Sequence, residues 1–306
     1  MEAELKSVLK TETLKQYGRG GGGCISAGTG YMTDSGPARQ MFDGEFEGLK
    51  AMYSTQTIRV PKPILAFDTK CQKGAAFAAE YLDMSGGRHS EQLGTNLARM
   101  HLYNSELHKE RARRASWLGY PEEFEPLEAV DKFGFHVTTC CGYLPLDNAW
   151  ADNWTEFYTR RRLQPQIEML LAEKSGGAEL QELWGRLTTV IPSLFADLPQ
   201  GGAEIAPALL HGDLWSGNVS ATKDEPVIFD PATFYGHSEF EFGIATMFGS
   251  SLDTVALAAY RRLIPKAAGF EKRLPLYQLF HYLNHWNHFG GGYKGSSLSI
   301  MRQLVK

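Results

Sequence analysis

The sequence predicts an α+β protein in two lobes, a small β-rich lobe with one helix over residues 1–84 and a larger, mainly helical lobe over 85–306. Three observations predict it. Glycine-rich turns and β-type runs crowd the first 84 residues around a single helical pattern. A polar connection, "SGGRHS" (85–90), interrupts the chain. Beyond it apolar residues recur at helical intervals, broken by two short apolar strands that carry acids.

The elements follow in order. Leu5, Val8 and Leu9 share one face of a short helix over 1–16. The stretch "YGRGGGGCISAGTGYMTDSG" then reads as a hairpin, with β-type residues between turn signals. Met41, Phe42, Glu45 and Leu49 fall at helical spacing, which predicts a helix from about Arg39 to Tyr53. "TIRVPKPILAFDT" and "GAAFAAEYLDM" read as strands. In the larger lobe Leu93, Leu97, Met100 and His101 line one helix face, Trp154, Phe157 and Tyr158 a second, and Leu180, Leu183, Trp184 and Leu187 a third. The charged, proline-containing stretch 106–130 is expected to be a mobile loop. "ALLHGDL" and "PVIFD" are short strands; "SEFEFGIATMF", "TVALAAYRRLI" and "LPLYQLFHYLNHWNHF" are packed helices.

Composition narrows the function. The chain has 306 residues, 43% of them apolar, enough for a large core. A net charge of −4 makes nucleic acid an unexpected partner. No run of 18 apolar residues occurs, so no membrane span is expected. The first residues, "MEAELKSVLKTETLK", lack the apolar centre of a signal peptide. Cys24, Cys71, Cys140 and Cys141 have no metal-site spacing, which suits a reduced, cytoplasmic protein, a monomer or a homodimer.

The chemistry lies in "LLHGDLWSGN" and "PVIFDP". Phosphoryl transfer from ATP needs a base for the hydroxyl proton, metal ions for the phosphates and donors that hold those phosphates. Asp213, Asn218 and Asp230 have the order and spacing of a kinase base and its two metal ligands. Their hard oxygens suit Mg²⁺. A tight turn capped by Asx hydrogen bonds is the plainer alternative for Asp213 and Asn218. His211 is expected to support the loop backbone. Trp215 replaces the lysine usual in protein kinases, and "PATFYGHSEFEFGIA" runs almost directly into a helix where those enzymes keep an activation loop. Both features point to a protein-kinase-like fold of the aminoglycoside-phosphotransferase type, acting on small molecules.

Other patterns carry two readings each. Gly18, Gly20 and Gly23 match a dinucleotide-binding fingerprint, but the helix that motif requires does not follow them. A glycine-rich backbone over ATP phosphates fits better, and a flexible loop is the plain alternative. Cys24 beside many backbone N–H groups is either oxidisable or simply small and packed. His281, His285 and His288 share a helix face, a zinc arrangement or polar trim. Glu239 and Glu241 read as structural acids at a helix start, and Cys140 and Cys141 as buried thiols. Trp154, Arg160 and Arg162 form a basic aromatic face, solvated or in contact with carbohydrate.

With "GGGCIS", "MFDGE", "VPKPI", "CCGYLP", "HGDLWSGN", "FDPATFYGHSE" and "NHWNHFG" in one order, the chain resembles the fructosamine-3-kinase and ketosamine-3-kinase family over nearly all its length. The resemblance implies an ATP- and Mg²⁺-dependent kinase. It would phosphorylate the third hydroxyl of ketosamines (ribulosamine, psicosamine, fructosamine) on glycated proteins or small amines, and the unstable product would fall away as deglycation. It implies that Asp213 is the base and that Asn218 and Asp230 bind metal. Gly21, Gly22, Gly23 and Cys24 would lie over the phosphates, Glu80, Tyr81 and Leu82 would face adenine, and Glu45 is the acid of the small-lobe helix. Trp286, Asn287 and His288 would lie near the sugar.

One departure stands out. Family members carry a strand of the type Val-Phe-Val-Lys-Val-Asn ahead of the "MFxGE" helix, and its lysine pairs with the helix glutamate. Here only Pro37, Ala38, Arg39 and Gln40 separate Gly36 from Met41, and no lysine occurs between Lys15 and Lys50. Roughly ten residues are missing, and a strand of ordinary length does not fit. Impaired catalysis is therefore expected, with a pseudokinase that binds nucleotide or ketosamine as the rival reading.

Overall fold

The computed structural model describes residues 37–69, 74–116, 128–196, 198 and 205–306. The predicted helix over 1–16, the glycine hairpin, Gly21, Gly22, Gly23, Cys24 and Cys71 lie outside the described residues.

Helix α1, Pro37–Thr55, begins immediately after Gly36, so the residues that separate Gly36 from Met41 are themselves helical. Proline suits a first helical position because its missing N–H has no partner there in any case. The helix packs on an antiparallel pair, β1 (Pro63–Thr69) and β2 (Gly74–Ala79), with Phe67 opposite Ala76. Phe42 stacks on Phe77 of β2, and Phe46 meets the same ring edge-on. Two glycines one turn apart bring α1 close to the other lobe. A Cβ at Gly44 would lie 2.7 Å from the Thr138 carbonyl, and one at Gly48 2.8 Å from Thr233 Oγ1.

Residues 80–89 carry no helix or strand. Helix α2 then runs Ser90–Ala115. The expected loop over 106–130 is thus helical through Ala115, because Glu110 pairs with Arg113 and Arg114 at helical spacing. Strands β3 (Thr139–Cys141) and β4 (Leu144–Leu146) form a short hairpin. Helix α3 (Trp154–Tyr158) continues through a π turn, Thr159–Leu163, into α4 (Gln164–Ala172), and α5 spans Gly177–Leu194. Strand β5 (Ala208–Leu210) pairs with β8 (Phe234–Gly236), and β6 (Val219–Ala221) with β7 (Pro226–Ile228), all antiparallel. Helices α6 (Glu241–Ala245), α7 (Thr254–Leu263), α8 (Phe270–Phe289) and α9 (Lys294–Leu304) complete the chain.

The predicted core residues Leu93, Leu97, Met100, Trp154, Phe157, Tyr158, Leu180, Leu183 and Leu187 are all buried. Two buried arginines in this core are held by polar partners. Arg273 on α8 makes two bonds to Glu239, of 2.7 and 2.9 Å, with both side chains almost fully enclosed. Arg162 from the π turn is buried against the rings of Phe157 and Phe234, and donates to the Asn148 side chain and the Asp147 carbonyl. It therefore belongs to the interior, not to an exposed basic face.

His237 is buried with its Nδ1 2.7 Å from the Tyr277 hydroxyl. Burial, with Arg273 and His101 nearby, pushes its pKa down to about 3. Below about pH 6.5 the unfolded chain takes up a proton here that the folded chain refuses, so stability falls as the solution is acidified. Between pH 7.5 and pH 5 this residue alone should remove about 2 kcal/mol. Urea unfolding of wild type and His237→Gln at both pH values checks it: the variant should lose that much less on acidification.

Candidate active site

The stretch between β5 and β6 is held as a loop by bonds to the chain that follows it. Gly212 adopts φ +83°, and a Cβ there would lie 2.3 Å from the Ala232 carbonyl. Only glycine allows that approach in that conformation. The Ala232 N–H donates to the His211 carbonyl at 2.9 Å, which ties the loop to the residues after Asp230. His211 is buried; its Nε2 lies 2.9 Å from the Phe229 carbonyl and its Nδ1 accepts from the Asp213 N–H. Burial lowers its pKa, so the ring is neutral and acts as a strut, as expected from the sequence.

Glu241 sets the loop from beneath. Its carboxylate accepts the N–H groups of His211 at 2.7 Å and of Gly212 at 3.0 Å. It also lies 3.4 Å from His101 Nε2, whose other nitrogen is 2.7 Å from the Tyr260 hydroxyl. Burial opposes its charge, but His101 and the His211 amide outweigh that and hold it below the usual carboxylate range. Sequence reasoning left Glu241 as a structural acid and His101 as a core residue; their link to the loop has no local signal, because 140 residues separate them.

Asp213, Asn218 and Asp230 come together. Asn218 ends a single 3₁₀ turn, Ser216–Asn218, and its Nδ2 donates to the Asp213 carbonyl at 2.9 Å, to Asp213 Oδ2 at 3.5 Å and to the Asp230 carbonyl at 3.2 Å. Among the described residues these bonds all use the amide nitrogen and leave Oδ1 uncommitted. Asp230 adopts φ +57°, a conformation aspartate tolerates better than most residues. Asp230 keeps an exposed surface, yet the chain packed around its carboxyl raises its pKa, against the pull of His211. Burial likewise pushes Asp213 up to about 8; Asp230 and Glu241 add to the rise, and Asn218 opposes it.

Glu45 joins this group. The close seat of α1 brings its carboxyl under the influence of Asp230, and burial with that neighbour pushes it up to about 8. No cation pairs with it among the described residues. Arg39 is engaged with Asp43 and Asp68, and Lys50 with Glu47. Neither replaces the lysine that the sequence lacks. Acids that repel one another in a partly closed crevice, with hard oxygen donors, fit a divalent cation of the Mg²⁺ type.

The remaining expectations fare differently. The Glu80 carboxylate accepts from Arg59 Nη2 at 2.6 Å and from the Lys62 N–H at 3.1 Å, and the Arg59 bond holds its pKa down. The side chain is thus committed to the segment that leads into β1. Tyr81 is exposed and Leu82 half-buried. Trp286 is 2% exposed with the Lys294 ammonium over its ring, so it cannot offer a face to a sugar as expected. The Asn287 amide nitrogen is spent on Gln166. His288 is half-buried, accepts the Tyr143 N–H at Nε2, and packs on the Tyr143 ring. The three-histidine zinc arrangement does not form: His285 and His288 each place Nδ1 on a carbonyl one turn back, while His281 turns to Asp213 and Cys141.

The profile of the fructosamine kinase family matches residues 31–306. The chain belongs to the fructosamine kinase family. It is 51% identical to the ketosamine-3-kinase of Mus musculus, over all of both chains. That alignment has 317 positions, 11 more than this chain has residues. It is 38% identical to the chloroplastic protein-ribulosamine 3-kinase of Arabidopsis thaliana, over 97% of this chain and 85% of that one. Among solved structures, a candidate fructosamine-3-kinase from Thermobifida fusca superposes with a TM-score of 0.68 at 26% identity, over 89% of this chain and 82% of that one. The fold is protein-kinase-like, as the motif spacing predicts.

Removing one of the crowded acids should relieve the metal-free protein. In EDTA at pH 8, Asp230→Asn should melt above wild type, because asparagine keeps the left-handed backbone and drops the repulsion. Mg²⁺ should raise the melting temperature of wild type and leave the variant unchanged. An Asp230→Asn protein that melts below wild type in EDTA would show that the acids are not in conflict.

Proposed function

We propose that this chain transfers the γ-phosphoryl group of ATP to the 3-hydroxyl of ketosamines on glycated proteins or small amines, ribulosamine and psicosamine foremost and fructosamine after them. Loss of the phosphorylated sugar then amounts to deglycation, in the cytoplasm. The convergence of one amide nitrogen, Asn218 Nδ2, on both Asp213 and Asp230 carries the reading. The names of the mouse and Arabidopsis relatives support the substrate class.

In this reading Asp213 accepts the proton of the sugar hydroxyl as the hydroxyl oxygen attacks phosphorus. Asn218 Oδ1 and the Asp230 carboxylate would hold Mg²⁺, which supplies the positive charge that ATP phosphates require. Asp213 needs that charge nearby as well, since in its absence burial keeps it protonated up to about pH 8. Glu241 and His211 act through the backbone as positioning residues. Gly21, Gly22, Gly23 and Cys24 cover the phosphates, and the backbone of Glu80, Tyr81 and Leu82 lines the adenine side. His288, half-buried and with its ring against Tyr143, is the one of the three proposed sugar contacts kept near the substrate.

A second reading is favoured by Glu45. Without a lysine partner its carboxyl is pushed up to about 8, and nothing on α1 reaches the nucleotide as a cation. Loss of one preorganised electrostatic contact costs about 10²–10³ in rate. On this second reading the chain holds nucleotide or ketosamine with little turnover.

The test is phosphate transfer from Mg-ATP to a ribulosamine by the purified chain. Slow turnover is expected, and Asp213→Asn should reduce it by a further ~10²-fold or more. Turnover no higher than that of Asp213→Asn rejects catalysis. A melting shift with Mg-ATP in that case leaves the binding module, and no shift rejects both.

A further inference from the structure

We propose that Cys141, Asp213 and His281 form a second metal site, selective for a thiophilic divalent ion of the zinc type, and that filling it takes Asp213 out of proton transfer. The inhibitory half of this rests on the role proposed above for Asp213; the binding half does not.

Three distant parts of the chain meet there. Strand β3 supplies Cys141, the 209–218 loop supplies Asp213 and helix α8 supplies His281. One ligand atom from each lies within 4.8 Å of the other two. His281 is the independent indication. It is fully buried, and neither of its ring nitrogens has a hydrogen-bond partner among the described residues. Such a group is costly to enclose and calls for an explanation. The packing that seats it is tight: a Cβ at Gly243 would lie 2.9 Å from the Tyr277 backbone and 3.2 Å from the His281 ring.

The donor set selects the ion. Sulfur and imidazole favour zinc over magnesium, whereas Asn218 and Asp230 offer only oxygen. Cys141 would bind as thiolate, its proton leaving to solvent. Thiolate, carboxylate and neutral imidazole together carry the charge that balances Zn²⁺. The bound cation would also give Asp213 the counter-charge that its acidic neighbours deny it. Tetrahedral zinc holds its ligand atoms about 3.3–3.8 Å apart, so the three groups need close in by no more than about 1.5 Å on binding. A fourth position stays open to water. Asp213 cannot both hold zinc and accept a sugar proton, so the site is a brake set by free zinc.

The experiment uses the full chain, stripped with EDTA and returned to excess Mg²⁺, then titrated with Zn²⁺ against a chromophoric chelator. One tight equivalent is expected. Cys141→Ser and His281→Asn should each weaken it by ~10-fold or more, and Cys140→Ser should leave it unchanged. Melting curves establish that each variant is folded. Co²⁺ provides a second readout on wild type alone: a thiolate-to-cobalt charge-transfer band should appear on binding. Absence of that band, or zinc affinity indifferent to both substitutions, overturns the site. Zinc should also stop wild-type turnover in excess Mg²⁺ and spare Cys141→Ser. Zinc that binds as described without slowing turnover overturns the brake. Wild type inactive in Mg-ATP alone would instead sink the proposed activity, and the binding measurements would still decide the site.

Discussion

Repulsion among crowded carboxylates at one crevice governs this structure. Asp213, Asp230 and Glu45 are each pushed above the usual carboxylate range, first by burial and then, for Asp213 and Glu45, by Asp230 itself. The chain supplies no cation among its described residues to offset them. It supplies cations elsewhere with care: Glu239 has Arg273, and Glu80 has Arg59. The contrast separates two uses of buried charge. Where an acid is structural, its partner is built in; where an acid is left without one, the partner must come from solution.

The scaffold around the acids is correspondingly rigid. Glu241 grips the two amides next to Asp213 and is itself gripped by His101, whose ring is fixed by Tyr260. Asn218 ties the far end of the loop to Asp230, and Ala232 ties the near end to His211. Repelling groups would otherwise drift apart by small backbone movements. Glycines at 44, 48, 212 and 243 remove the side-chain bulk that would hold the elements at a distance. Close approach and electrostatic conflict are thus imposed by the same packing.

Much of this was legible in the sequence, and the reason is range. The spacing Asp213–Asn218–Asp230 lies within eighteen residues, so one loop and one hairpin bring it together, and a sequence motif can encode it. Helix faces were legible because burial follows the 3.6-residue period. Contacts between distant segments left no such trace. The bond from Glu241 to His101 and the approach of Cys141 to His281 depend on how helices pack, and no local pattern records them. Trp286 and Asn287 were misplaced for a related cause. Helix α8 is apolar on more than one face, so periodicity alone could not say which residues meet α4 and α9 and which meet the crevice. The stretch 106–115 was misread because charge and nearby prolines were weighed above the i, i+3 and i, i+4 pairs that make it helical.

The short interval before α1 shows how a local change in sequence reaches the site. Helix α1 starts at Pro37, so no strand with a lysine stands between Gly36 and Glu45. The helix keeps its seat regardless, because that seat depends on Gly44 and Gly48 against Thr138 and Thr233, not on the missing ion pair. Glu45 therefore stays beside Asp230 with no cation paired to it among the described residues. The helix is held by packing while its glutamate is held against its charge, and the conflict falls on the metal side of the crevice. In the reading proposed above, Mg²⁺ would therefore offset Glu45 as well as Asp230, a charge balance that an internal cation would otherwise share.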